Sequence, residues 1–254
     1  CAPKLFVLKS PFYSRIKQTR TRVLSMGKKA LIIGAGHGLS ASVARLFAAE
    51  GMKIGLVARN TDKLAALADE IGAHTYSCDA TDPDMVSGLF NAFDADIGSP
   101  DILVYNPNVM LRGPITEVDP AGTKNSIMVS AYGAFLAAQQ AAIRMLKAGS
   151  GTMLFTGASA GIKGYPNSAP FAMGKFALRG LCQSLARELS PQNIHVAHFV
   201  IDGQIMNTQG DAAHSDPTST LNPDDIAQTY LHIANQNRSA WTWEIELRPS
   251  AENF

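Results

Sequence analysis

The sequence predicts an α/β fold with a doubly wound parallel sheet, on three observations. Short apolar runs alternate with helical segments from about residue 28 to the end of the chain. The runs are apolar almost throughout, which is typical of strands covered by helices on both faces. A glycine-rich turn, GAGHGLS at residues 34–40, joins the first run to the first helix. With 254 residues, 46% of them apolar, the chain can form one large domain of this kind.

Seven apolar runs predict the strands. They are short and are separated by segments of helical periodicity or by turn residues. In chain order the predicted strands are KKALIIG (28–34), MKIGLVAR (52–59), AHTYSCD (73–79), DILVYN (101–106), GTMLFTG (151–157), IHVAHFVIDG (194–203) and WTWEIELRP (241–249).

The helices are predicted from apolar residues three and four positions apart. In the first helix Leu39, Val43 and Phe47 share one face, and Gly51 ends it. The second begins at a Thr/Asp cap, residues 61–62. Crossovers between parallel strands are almost always right-handed, so we expect a three-layer Rossmann-type sheet with ligands beyond the carboxyl ends of its strands. The predicted helices are residues 39–51, 61–72, 82–93, a long helix within 123–148, 169–190 and 224–235.

The charge is unevenly distributed. Residues 1–25 hold six of the 22 basic residues and no acid, which leaves 16 basic against 21 acidic residues in the rest. We expect this segment to be a basic extension and residues 26–254 to form one domain, because no linker or repeat divides them. The extension is a targeting remnant, an arm that docks on a partner in a larger assembly, or sequence without a role. A nucleic-acid partner is not expected, because the remaining domain is acidic and has no basic stripe.

Composition also bears on location and metals. No apolar run approaches the length that spans a bilayer, so we expect a chain that does not cross a membrane. Three widely spaced cysteines suggest no disulfide framework and fit a reducing compartment. His195 and His198, three apart on a predicted strand, point to opposite faces, which argues against a shared metal. The expected location is the cytoplasm, or the mitochondrial matrix if the basic segment is a targeting remnant.

The turn at residues 34–40 predicts a dinucleotide site. Gly34, Gly36 and Gly38 let the backbone turn tightly and approach a pyrophosphate, and the following helix N-terminus supplies amide donors and a favourable dipole. Glycine-rich turns also serve plain helix–strand packing. The position of this turn, at the start of a strand–helix–strand unit, favours the nucleotide.

The ends of the second and third strands indicate which nucleotide binds. NAD-specific sites usually place an acid after the second strand, whereas this chain has Ala58 and Arg59. A guanidinium grips a 2′-phosphate and His37 would add a donor, so NADP(H) is favoured, with NAD(H) as the alternative. Arg59 would otherwise be a solvated residue at a helix entry. Asp79 either reaches an adenine amino group or caps a helix.

These motifs together resemble the short-chain dehydrogenase/reductase family, of the compact single-domain kind. The family's GxxxGxG motif appears as Gly34, Gly38 and Ser40, and its NNAG motif as YNPN with Asn106. The resemblance implies an oxidoreductase that uses a nicotinamide nucleotide and forms a homodimer or homotetramer. The residues predicted to hold the nucleotide are Gly34, Gly36, His37, Gly38, Leu39, Arg59, Asn60, Asp79, Ala80, Asn106 and Lys175.

The family's four catalytic positions are only partly kept. The register of the active-site helix places the family's tyrosine on Phe171 and its lysine on Lys175. The serine falls on Ala158, and the helix asparagine falls on Ser130. Only the lysine is retained, so the resemblance implies a degenerate tetrad and makes the family's usual mechanism unexpected.

Phe171 has no proton to give to an alkoxide. General acid catalysis contributes about 10²–10⁴-fold, so its loss is severe but not absolute. Residues i and i+4 share a helix face, so Phe171 and Lys175 still point together, and Lys175 would hold ribose hydroxyls as in the family. The predicted replacement donors are Tyr165 and Ser159, with Ser168 or a water on Lys175 as alternatives. Tyr165 would otherwise be a loop aromatic that covers the helix.

Two classes of function therefore stay open. The first is an NADP(H)-dependent oxidoreductase of altered mechanism on an unknown carbonyl or alcohol. The second is an inactive nucleotide-binding or structural subunit of a larger assembly. The family's proline-glycine after the sixth strand reads Asp202-Gly203, and the lid segment 204–222 is short and polar, which does not favour a long hydrophobic substrate.

Overall fold

A computed structural model describes residues 26–206 and 218–251. The basic segment 1–25 lies outside the described residues, as do residues 207–217 of the predicted lid and residues 252–254. The interpretations of the basic segment therefore stay predictions.

Strands and helices alternate along the described residues as the sequence predicts. All seven predicted strands are present, together with two short strands, β7 and β8, near the lid. The strands are β1 Lys29–Ile33, β2 Lys53–Ala58, β3 His74–Ser77, β4 Ile102–Tyr105, β5 Gly151–Thr156, β6 Ile194–Ile201, β7 Gln204–Ile205, β8 Thr220–Leu221 and β9 Glu244–Leu247. The helices are α1 Leu39–Ala49, α2 Ala65–Ile71, α3 Pro83–Asp96, α4 Pro120–Ile127, α5 Gly133–Ala148, α6 Ala169–Leu189 and α7 Pro223–Ala234.

Seven strands form one parallel sheet in the order β3-β2-β1-β4-β5-β6-β9. The strand order reverses between β1 and β4, the switch point where doubly wound sheets bind ligands. The predicted fold class is therefore confirmed.

Each face of the sheet carries its own apolar core. Within β1, Ala30 and Ile32 face one core and Leu31 and Ile33 face the other, since successive strand residues point to opposite sides. Helices α1 and α7 cover the first face, and α3, α5 and α6 cover the second. This double burial explains why the central strands, such as β4 and β5, read as largely apolar runs, whereas the edge strands β3 and β9 are partly exposed and carry polar residues.

Three helices begin with the same N-capping arrangement. The side chains of Asp82, Asp119 and Asn222 accept hydrogen bonds from backbone amides of the following turn. A proline follows each of them at the first helical position, where its missing N–H costs nothing. These pairs fix where α3, α4 and α7 start.

The second helix begins differently from the prediction. Thr61 makes no side-chain capping bond. Asn60 instead accepts a hydrogen bond from the Asp62 amide at 2.8 Å, and a short 3-10 turn, Asp62–Leu64, precedes α2. The predicted cap at Thr61 and Asp62 is therefore wrong, because the Asn60 side chain already accepts the hydrogen bond from the Asp62 amide.

The predicted long helix is two helices joined by one π-helical turn. Residues Met128–Tyr132 form this turn between α4 and α5, and it holds Ser130. The combined helix Pro120–Ala148 has 29 residues and is, by length and composition alone, long and apolar enough to cross a membrane. The expectation that no segment reaches that length is therefore wrong. The α5 part of this helix packs on the sheet through Leu136, Ala137 and Met145, as the core helix of a globular protein does.

Candidate active site

A cavity of about 900 Å³ opens at the carboxyl ends of the central strands. It brings together six of the residues predicted from the sequence: Gly38, Leu39, Asn106, Ser159, Tyr165 and Lys175. The other predicted residues do not line it. Gly34, Gly36 and His37 lie in the turn after β1, Arg59 and Asn60 follow β2, and Asp79 and Ala80 follow β3.

The glycine-rich turn is shaped by the close approach of the next strand's loop. Gly34 has a φ of +82°, and a Cβ there would lie 2.5 Å from the Pro107 nitrogen. A Cβ at Gly36 or Gly38 would meet nothing within 4 Å. Gly34 is therefore required by the fold, whereas Gly36 and Gly38 leave their backbone open to a ligand.

Ser40 stands where the GxxxGxG motif has its last glycine. Its hydroxyl donates to the Gly34 carbonyl at 2.9 Å and accepts from the Asn106 side chain at 2.6 Å. Ser40 is buried at the start of α1. It therefore ties the turn, the helix and the end of β4 together, a contact that the sequence reading did not assign.

The ends of β2 and β3 bring Arg59 and Asp79 near each other. Arg59 is exposed. Asp79 accepts hydrogen bonds from the Thr81 amide at 2.9 Å and the Thr81 hydroxyl at 2.8 Å. These bonds, and then the charge of Arg59, hold the pKa of Asp79 below its usual value. The cap of α3 is Asp82 and not Asp79.

Lys175 is buried beneath the cavity. Its ammonium donates to the Thr156 carbonyl at 2.9 Å and lies 5.7 Å from the centroid of the Phe171 ring. Burial lowers the pKa of Lys175 to about 8. The ammonium therefore titrates close to neutral pH and can exchange a proton there.

Three of the positions that the resemblance assigns to catalysis carry apolar or short side chains. Phe171 is 5% exposed and lines the cavity, as does Ala158. Ser130, in the π-helical turn, is fully buried, and its hydroxyl has no hydrogen-bond partner among the described residues. Phe171 and Ala158 thus supply no proton to the cavity, and Ser130 does not line it.

A polar cluster forms around Asp202, which also lines the cavity and is 2% exposed. Lys163 lies 3.3 Å from its carboxylate and the Tyr165 hydroxyl 3.5 Å, and Arg248 and Ser159 also donate to it. Burial opposes the charge, but these hydrogen bonds together lower the pKa of Asp202. Asp202 is therefore a carboxylate that holds donors in place and not a proton source.

A family model described as short chain dehydrogenase matches residues 28–216. This match spans well over half of the chain. The chain belongs to the short-chain dehydrogenase family.

Relatives of this short-chain dehydrogenase agree with that assignment. An uncharacterized oxidoreductase of Staphylococcus aureus (strain N315) is 27% identical over 225 residues, 87% of this chain and 97% of the relative. A short-chain dehydrogenase from Rhodopseudomonas palustris has 35% identity and a TM-score of 0.77 over 88% of this chain and 99% of its own. A metagenomic short-chain oxidoreductase in complex with NADP has 26% identity and a TM-score of 0.78, over 90% of this chain and 100% of its own.

Some functional contacts of this short-chain dehydrogenase were missed in the sequence. Arg248, far along the chain, reaches Asp202, and Lys163 sits beside Tyr165. The signal for Asp202 was present, since it replaces the family's proline after the sixth strand. Nothing in the sequence marks Arg248 as its partner, because strand β9 brings the two together only in the folded sheet.

We expect the Lys175→Met variant of the nucleotide-free protein to unfold at a higher temperature than wild type at pH 7. The folded pKa of Lys175, about 8, lies below its unfolded value of 10.5. Between these values the unfolded chain binds more protons, so the wild type gains stability as pH rises. The variant should gain on the order of 2 kcal/mol at pH 7 and progressively less toward pH 10.

Thermal unfolding at both pH values measures this effect. The exposed Lys147→Met at the end of α5 is the control and should change little at either pH. A Lys175→Met variant that is less stable than wild type at pH 7 would contradict the assigned cost of burying this ammonium.

Proposed function

We propose that this chain is an NADP(H)-dependent oxidoreductase of an unidentified carbonyl or alcohol, with a proton donor other than residue 171. One observation carries the proposal. The end of the glycine-rich turn, Asn106 and Lys175 line one cavity, and Phe171 occupies the wall where the family has its phenol. The cavity keeps the means to hold a nucleotide and lacks the usual acid.

The turn after β1 fits a dinucleotide. The sites of a Cβ at Gly36 and Gly38 are open, and no side chain in the described ranges caps the N-terminus of α1. Amide groups there would face the pyrophosphate, and Lys175 would hold the sugar next to the nicotinamide. When bound, such a nucleotide supplies or accepts the hydride. The chain's own residues would then orient the nucleotide and supply or accept the proton.

The preference for NADP(H) is supported by Arg59. Its guanidinium is exposed beyond β2 and available to a 2′-phosphate. The nearby acid, Asp79, is occupied by the amide and hydroxyl of Thr81. The metagenomic relative in complex with NADP supports binding of a nicotinamide nucleotide in this fold.

Proton delivery has two supported routes. Lys175 lines the cavity, and its pKa of about 8 allows it to donate near neutral pH, directly or through a water. Alternatively the hydroxyls of Ser159 and Tyr165, which also line the cavity, donate, held in place by Asp202. In that case the contacts of Lys163 with Tyr165 would favour the phenolate left behind.

We expect NADPH to bind at least about 10-fold more tightly than NADH, because the 2′-phosphate gains a charge-assisted bond with Arg59. Fluorescence titration of both nucleotides measures the preference. Arg59→Gln should lose most of it while keeping the affinity for NADH, and Arg187→Gln, on the exposed face of α6, is the matched control. Equal affinities for the two nucleotides in the wild type would overturn the assignment.

The absence of a proton donor beside Lys175 also favours a second candidate, an inactive nucleotide-binding subunit. Ala158, Phe171 and Ser130 together replace three of the four catalytic residues. This candidate predicts tight NADPH binding with no turnover on panels of carbonyls and alcohols. Any measurable turnover that depends on Lys175 would exclude it.

A homodimer or homotetramer stays a prediction. Exposed apolar side chains on neighbouring faces of α5 and α6 supply a surface for it, including Phe135, Ile143, Met173 and Phe176. The mass in solution, measured by light scattering, would test it.

The cytoplasmic or mitochondrial location, and a larger assembly joined through residues 1–25, also stay predictions. Import and pull-down experiments with and without that segment would test them.

A further inference from the structure

One end of the cavity is formed by the start of α6. This helix has 21 residues, and Ser168, Phe171 and Lys175 place its first turns along the cavity wall. No side chain within the described residues caps its N-terminus. The positive end of the helix dipole therefore lies beside the cavity with nothing negative against it.

Ser168 supplies a second and independent observation. It lines the cavity and is 2% exposed, yet its hydroxyl has no hydrogen-bond partner among the described residues. A buried hydroxyl without a partner costs about 1–3 kcal/mol, so natural proteins seldom leave one without a reason. A ligand oxygen at this end of the cavity would satisfy it.

Arg112 brings a cation to the same end. It lines the cavity on the loop after β4. The amide of the next residue, Gly113, donates to the carbonyl of Asn167 at 2.8 Å, which ties this loop to the residue before Ser168. Arg112 and Ser168 therefore lie next in sequence to two residues whose backbones are hydrogen-bonded, and both line the cavity.

The charge balance of the cavity is positive. Among the described residues of its lining, Asp202 is the one acid, and Lys175 and Arg112 are the cations. The carboxylate of Asp202 is already matched by Lys163 and Arg248. An anion that enters the cavity thus meets uncompensated positive charge near Arg112 and the start of α6.

We propose that this end of the cavity binds the carboxylate of the substrate, through Ser168, Arg112 and the first turn of α6. The inference rests on the proposed function, since the same cavity would take the nucleotide. Met110, Phe171 and Met206 provide an apolar wall next to this site. The substrate is therefore a keto or hydroxy acid with a compact apolar body.

Binding of a matched pair of probes tests the site without any turnover. The probes are 3-phenylpropionate and 3-phenylpropionamide, which share a shape and differ in charge. Isothermal titration is carried out on the nucleotide-free protein and on protein saturated with NADPH. We expect the acid to bind about 10-fold more tightly than the amide in both states, because a charged acceptor strengthens its hydrogen bonds.

Variants connect that preference to the residues. Arg112→Gln should remove most of the roughly 10-fold preference for the acid, and Ser168→Ala should weaken binding of the acid about 5-fold. Both changes are conservative, and unfolding temperatures would verify that the variants fold. Arg187→Gln, on the exposed face of the same helix, should leave both affinities unchanged.

The outcomes separate this inference from the proposed function. If NADPH does not bind but the acid is still preferred and Arg112→Gln removes the preference, the proposed function fails and the carboxylate site stands. If NADPH competes with the acid, the anion site is that of the nucleotide phosphates, and the inference is overturned. Equal affinities for acid and amide, or no binding of either probe, also overturn it.

Discussion

Replacing Phe171 by tyrosine is expected to raise the rate of carbonyl reduction with NADPH by about 10²-fold. The ring lines the cavity and is almost fully buried. A hydroxyl added to it would stand in the cavity, on the same helix face as Lys175, whose ammonium lies 5.7 Å from the ring centroid. A nearby ammonium lowers the pKa of a phenol toward neutrality, so the added group would act as an acid.

The expected gain is smaller than the largest effects of general acids. By the resemblance, the family's serine and asparagine positions fall on Ala158 and Ser130 here, so the new phenol would lack two of its usual neighbours. Adding Ala158→Ser to Phe171→Tyr should therefore raise the rate further. The measurement is the initial rate of NADPH oxidation on a carbonyl panel that includes keto acids.

The control removes the ammonium. In Phe171→Tyr/Lys175→Met the gain should vanish, because nothing then lowers the pKa of the phenol. Phe171→Leu keeps the wall apolar and should not raise the rate. If Phe171→Tyr instead abolishes a robust wild-type activity, the aromatic wall serves a different reaction, and the proposal of a missing acid is wrong.

The fold could be predicted from the sequence because each local signal agreed with the sheet. Strand β4 is apolar at every position since helices cover both of its faces, and Asp82, Asp119 and Asn222 stand where helices begin. The errors fell where two local signals compete. Asn60 rather than Thr61 accepts the first amide of the second helical segment, and a single π-helical turn interrupts the long helix at Ser130.

The candidate site was predictable only where its residues follow one another along the chain. The glycine turn, Arg59 and the pair of Phe171 and Lys175 all have fixed spacings that the sequence displays. Asp202 and Arg248 are 46 residues apart and meet only because β6 and β9 are paired strands. Contacts of that kind depend on strand order, which periodicity does not specify.

The same substitution at two glycines of the nucleotide turn is expected to change different properties, the stability at Gly34 and the affinity for NADPH at Gly36. Gly34→Ala should lower the stability by about 3 kcal/mol, which for a domain of this size shifts the unfolding temperature by roughly 10 °C. Gly36→Ala should change the stability by less than about 0.5 kcal/mol. It should nevertheless weaken the binding of NADPH at least about 10-fold.

The physical reasons lie in the space around each Cα. At Gly34 the φ of +82° disfavours alanine, and the new Cβ would meet the Pro107 nitrogen at 2.5 Å and the Asn106 carbonyl carbon at 2.9 Å. These are backbone atoms and cannot move without disturbing the loop after β4. At Gly36 the new Cβ would meet nothing within 4 Å, so the protein tolerates it. The open space is the one that a pyrophosphate would need.

Thermal unfolding and NADPH titration of the two variants measure these effects side by side. A Gly36→Ala protein that is as stable as wild type and binds NADPH as tightly would show that the turn does not approach the nucleotide. The glycine-rich turn would then serve only the packing of α1 against the sheet, and the proposed function would lose the element that holds its cofactor. A stable Gly34→Ala protein would instead show that the loop at Pro107 yields to the new side chain.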